Sequence, residues 1–104
     1  MEIRPNQPIQ PSYKQEFKDS VDIYDKSFRG AMESNFEPQK QQYYKAMKES
    51  LQAMQDSANG MVNQQLVDLK QKLANDTQNY IKNPSVDTQK QIEKDLKEIR
   101  AAEG

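Results

Sequence analysis

The chain of 104 residues has no cysteine, no histidine and no tryptophan, and only three glycines. Lacking thiols and imidazoles, it is excluded from disulfide formation, thiolate nucleophilic catalysis, imidazole acid-base catalysis and the commonest transition-metal ligation. Strong core formers are scarce too. Leu, Ile, Val and Phe together number 18, a share of roughly 17% where about 20% marks the onset of weak folding. Charge of one sign is also missing, since 15 basic and 16 acidic residues leave a net charge of -1. No apolar run approaches the ~20 residues that span a bilayer, and Met1-Glu2-Ile3-Arg4-Pro5 lacks the apolar stretch of a secretory signal. The expected location is cytoplasmic, with leaderless export as the other route.

What remains is polar and periodic. Mean hydropathy is -1.15 and 14 residues are glutamine, yet the apolar residues recur at helical spacing, which a disordered chain does not require. Residues 1–11 carry Pro5, Pro8 and Pro11 and are expected to form an extended, disordered arm, because proline fixes φ and withholds a backbone donor. Residues 12–104 are expected to form a single helical domain.

Its first helix is expected at about 12–34, with Ser12 capping and Gln15 completing a capping box. Tyr13, Phe17, Val21, Tyr24, Phe28 and Met32 make one stripe on it. Glu37-Pro38 ends that helix and opens the next, since the residue before a proline avoids the α region while proline suits a first helical position. Tyr44, Met47, Leu51, Met54 and Ala58 then recur at three-four spacing, and Val62, Leu66, Leu69, Leu73 and Tyr80 carry the face onward. Two readings stand. Either Asn59-Gly60 breaks the segment into helices at about 38–58 and 61–82, or one bent helix runs from Pro38 to Lys82, a mid-helix glycine costing only ~1 kcal/mol. Asn83-Pro84-Ser85 is a turn with capping side chains. A last helix at about 85–102 follows, with Ile92, Leu96 and Ile99 as its apolar stripe. No segment alternates with period two. The fold class is therefore all-α: an antiparallel helical hairpin or a small three- to four-helix bundle.

Functional constellations are few. Asp19, Asp22 and Asp25 repeat every three residues but are interrupted by Lys18 and Lys26 and lack a calcium-loop pattern, so they read as a solvated face with no metal. Carboxylate pairs one turn apart read as ordinary surface charges, because a core this lean is not expected to desolvate one and raise its pKa. Basic residues are spread evenly, four against five acidic ones on the first helix and the same on the last when Glu103 at its end is included, which gives no footprint for nucleic acid. No cofactor is implied.

The expected function is a non-enzymatic helical protein-protein interaction module: a structural subunit, adaptor or chaperone-type component of a larger assembly, met by a protein partner or by copies of itself. Its expected contact seam is Tyr44, Met47, Leu51, Met54, Leu66, Leu69 and Leu73, since a lean core gains stability by association and methionine adapts to varied surfaces. The Asn83-Pro84 turn resembles the inter-helix loop of small helical secretion-apparatus subunits and their chaperones, a likeness confined to those two residues. The rival reading is a free-standing bundle that holds a small ligand or an unfolded client in the same seam.

Overall fold

A computed structural model describes residues 12–103; the expected arm at 1–11 lies outside the described residues. Four helices follow one another: α1 (Tyr13–Glu33), α2 (Glu37–Met61), α3 (Gln64–Lys82) and α4 (Val86–Glu103). Short connections make each neighbour antiparallel to the last, and the helices close into an up-down-up-down bundle in which α1 meets α2 and α4. The fold class is all-α as expected, and no strand occurs among the described residues.

The lean composition is reconciled by how α1 and α2 pack. Phe17, Tyr24 and Ala31 recur every seven residues in α1, and Ser20, Ser27 and Ser34 recur three places later; all six are buried. Helix α2 repeats the scheme, with Met47 and Met54 followed three places on by buried Ser50 and Ser57. Val21, Phe28, Leu51 and Ala58 fill the position after Ser20, Ser27, Ser50 and Ser57. Three inward positions per heptad is the pattern of a bundle helix, and putting serine at one of them lets the two helices approach closely. The hydroxyls turn back onto their own helix, Ser20 Oγ donating to the Glu16 carbonyl and Ser50 Oγ to the Met47 carbonyl, each at 2.8 Å. The glycines extend the seam. A Cβ at Gly30 would stand 2.5 Å from the Tyr43 ring, and one at Gly60 would stand 2.7 Å from the Tyr13 ring.

Gly60 therefore serves packing, and the chain does not turn there. Helix α2 continues to Met61 and ends on Val62, whose φ of 53° and ψ of 47° are left-handed. The Val62 amide donates to the Asn59 carbonyl and the Asn63 amide to the Ala58 carbonyl, both at 3.1 Å. This is the paired 6→1 and 5→2 closure that normally has glycine at the left-handed residue. A β-branched residue there costs on the order of 1–2 kcal/mol. Asn63 then caps α3, its Oδ1 accepting from the Leu66 amide at 3.1 Å. Of the two sequence readings the broken helix is the observed one, with the break moved to Val62-Asn63. The valine that the stripe placed on the buried face is 90% exposed.

The other caps follow sequence more closely. Ser12 Oγ accepts from the Gln15 amide at 3.2 Å, but the Gln15 side chain donates onward to Asp19 Oδ1 at 2.9 Å, so only half of the expected capping box forms. At α4 the box is complete with threonine in the usual glutamate position. The Ser85 amide donates to Thr88 Oγ1 at 3.0 Å and the Thr88 amide to Ser85 Oγ at 3.2 Å, a reciprocal satisfaction of two free donors.

Candidate functional site

The expected contact seam turns inward. Tyr44, Met47, Leu51, Met54, Leu66 and Leu73 are buried in the chain's own core, so a partner can reach these six only if the bundle opens. Leu69 alone of the seven keeps accessible surface. It lines a shallow hollow between α3 and α4 with Gln65, Glu98, Ala101 and Ala102. Tyr44 and Tyr80 meet edge-on with ring centroids 6.1 Å apart, and Tyr80 meets Phe28 at 5.4 Å. Burial raises the pKa of both tyrosines.

Two polar contacts run through this core. Tyr24 Oη lies 2.6 Å from Thr77 Oγ1, and Thr77 Oγ1 donates to the Leu73 carbonyl at 2.6 Å. A hydroxyl has one proton, so Tyr24 is the donor to Thr77, and the relay tyrosine, threonine, carbonyl is closed. Desolvation, strengthened by the nearby Asp95 charge and opposed by the Thr77 bond, pushes the Tyr24 phenol far above its ordinary value.

The second contact corrects the expectation that every carboxylate stays at the surface. Asp95 is 1% exposed, because it sits on the stripe of Ile92, Leu96 and Ile99 and faces α3. Its Oδ1 accepts from Gln91 Nε2 at 3.3 Å and lies 3.7 Å from Lys72 Nζ. Its Oδ2 and Asp76 Oδ2 are both buried with no partner if both groups are ionised. A hydrogen bond between the two carboxyl groups requires one of them to carry a proton. Burial first, then the hydrogen bond to Asp76 and the Asp76 charge, raise the Asp95 pKa to about 7 against the opposing pull of Gln91 and Lys72. Lys72 also donates to Glu98 Oε1 at 3.2 Å, and that bond raises its own pKa. The layer can therefore hold one proton near neutrality, in a form that donates a hydrogen bond.

The acidic stripe on α1 is dispersed among separate partners. Asp19 accepts from Gln15, Asp22 pairs with Arg100 of α4, and Asp25 accepts from Arg29 Nε at 3.0 Å. Among the described residues no three His, Cys, Asp or Glu side chains are grouped to hold a metal ion, and no helix is long and apolar enough to cross a membrane.

Two cavities mark the ends of the bundle. One of about 200 Å³ lies between Lys14, Phe17, Met61, Leu66 and Glu103. That is below the roughly 300–1,000 Å³ of ordinary small-molecule sites. At the opposite end a hollow of about 260 Å³ is lined by Met32, Tyr80, Pro84 and Val86 among others. Phe36 and Val86 stand at that end, 65% and 63% exposed. Neither was among the expected contact residues. Phe36 lies just outside the first stripe, and Val86 opens the last helix ahead of its stripe of Ile92, Leu96 and Ile99. Neither cavity is lined by Asp76 or Asp95. No family model, no curated protein and no solved structure matches the chain, and the reading of its function rests on its own residues.

Proposed function

We propose that the chain is a non-enzymatic helical interaction module, a small structural subunit or adaptor, that meets a protein partner through one end of its bundle. The observation that carries this reading is the pair Phe36 and Val86, large apolar side chains about two-thirds exposed at the end where α1 and α3 finish and α2 and α4 begin. Burying an apolar side chain of this size is worth about 1.5–3 kcal/mol, and aromatic residues are enriched at protein contacts. Leu69, in its hollow between α3 and α4, offers a second and smaller contact. The remainder of the expected seam serves the module's own stability and fixes the geometry of that end.

A photo-crosslinking residue placed at position 36 or 86, in the full chain in its native cells, should give discrete protein adducts, and one at the exposed Lys48 should give none. Adducts absent from both end positions would sink the reading.

A further inference from the structure

Val62 is a left-handed, β-branched residue at the surface, and among the described residues it is the one non-glycine with positive φ. The chain owns a glycine two residues earlier and uses it in the helix against Tyr13. The turn is thus made by a residue suited to extended or helical backbone. Only Val62 and Asn63 separate α2 from α3. Setting them to helical dihedrals would join the two into one helix over 37–82.

The sequence keeps face across that join. Tyr44, Met47, Leu51, Met54, Ala58, Val62, Leu66, Leu69, Leu73, Thr77 and Tyr80 cover 36 residues in ten steps. Their average step is therefore the ~3.6-residue period of a straight helix. Every one of them except Val62 and Leu69 is buried in the hairpin form. The molecule also divides naturally here, since α1 packs on α2, and α3 on α4, more extensively than either pair packs across.

We infer that the α2–α3 turn is a hinge through which two copies of this chain exchange halves, each α1–α2 pair closing on the α3–α4 pair of the other. Every contact between halves is then remade between chains, including Tyr24 with Thr77, Phe28 with Tyr80 and Arg100 with Asp22. A short, strained hinge favours such exchange. In the exchanged form the left-handed residue relaxes, and Val62 of each long helix lies where the two helices cross. The inference concerns the chain alone and does not rest on the partner reading above.

The absence of cysteine makes the test clean. Spin labels at Glu49→Cys and Asn75→Cys, both exposed positions, sit on facing stretches of the hairpin. A trace of doubly labelled full chain is unfolded and refolded with an excess of unlabelled chain at rising concentration, and monomer and dimer are separated and weighed by light scattering. The monomer should give a distance set by neighbouring helices, about 10 Å between axes plus the label arms. The dimer should give roughly 40 Å within one chain, at ~1.5 Å per residue of continuous helix. Val62→Gly should lower the dimer yield about tenfold or more by relieving the hairpin turn, whereas Val62→Ala, which keeps the strain, should retain it. A dimer with the short distance, or no dimer at any concentration from either the parent chain or Val62→Ala, overturns the inference.

Discussion

At the scale of single residues the buried hydroxyls and carboxyls separate groups that can be removed from groups that cannot. Tyr24→Phe removes a donor whose acceptor, Thr77 Oγ1, still spends its own proton on the Leu73 carbonyl, so the loss should stay near 1 kcal/mol. Thr77→Val leaves a buried phenolic proton without an acceptor and should cost more, about 1–3 kcal/mol. Urea unfolding of the two variants ranks them, and the reverse order would show that the relay runs the other way. Asp95 makes the pH-dependent prediction. Its folded pKa of about 7 lies above the ~3.9 of an unfolded aspartate, so between those values the native state holds a proton that the unfolded chain has released. Stability contributed by this group is thus present at low pH and is lost as pH rises from about 4 toward 7, by up to ~1.4 kcal/mol per unit. Asp95→Asn should abolish the slope and gain relative stability above pH 7, where the parent must bury a charge beside Asp76. A difference between parent and Asp95→Asn that stays constant from pH 5 to 8 would remove the shared proton from the account.

At the scale of elements the close α1–α2 seam explains how a glutamine-rich chain stays helical. On the outer faces, glutamine amides reach an acceptor one turn away, as in Gln52 with Asp56, Gln64 with Asp68 and Gln71 with Asn75. Each such pair adds about 0.2–0.5 kcal/mol to its helix. On the inner faces, serine takes a place where leucine is usual. Ser27→Leu should accordingly destabilise the chain by about 1–3 kcal/mol although it adds apolar area, because the helices are too near for the extra carbons. A higher melting temperature for that variant would mean that the seam has room. The apolar stripes, the proline and Asn-Pro turns and the all-α class were legible in sequence because each depends on spacing along one helix. What was not legible depends on distance between helices. The serine heptads carry no apolar signal and show their role only when the partner helix is seen to touch them, and Gly60, which reads either as a breaker or as a glycine inside one bent helix, hides its packing role because its contact with Tyr13 lies 47 residues away. Asp95 read as exposed, although its three-residue step from Ile92 and four-residue step to Ile99 placed it on the buried face. That spacing was the available signal, and charge outweighed it.

At the scale of the whole molecule the question is what a closed bundle can offer to others. Its apolar residues are largely consumed by the four-helix core, which is why the expected contact seam proved internal apart from Leu69. Close packing of small residues lets this lean composition bury a continuous core within one chain. Among the described residues Tyr13, Ile23, Phe36, Val62 and Val86 are the large apolar side chains left exposed, and the proposed contact uses the two that topology brings to one end. The loops that join α1 to α2 and α3 to α4 emerge at one end and carry Phe36 and Val86 there. Because these side chains are exposed, replacing them should separate folding from binding. Phe36→Glu with Val86→Glu should leave the unfolding free energy within about 0.5 kcal/mol per site of the parent. The same pair should cut co-purification of the partner identified by end-position crosslinks about tenfold or more, as expected when two apolar anchors worth over ~1 kcal/mol each are lost from a contact. A variant that melts normally and still retains its partner would place the recognition surface elsewhere on the bundle, with the Leu69 hollow the next position to mutate.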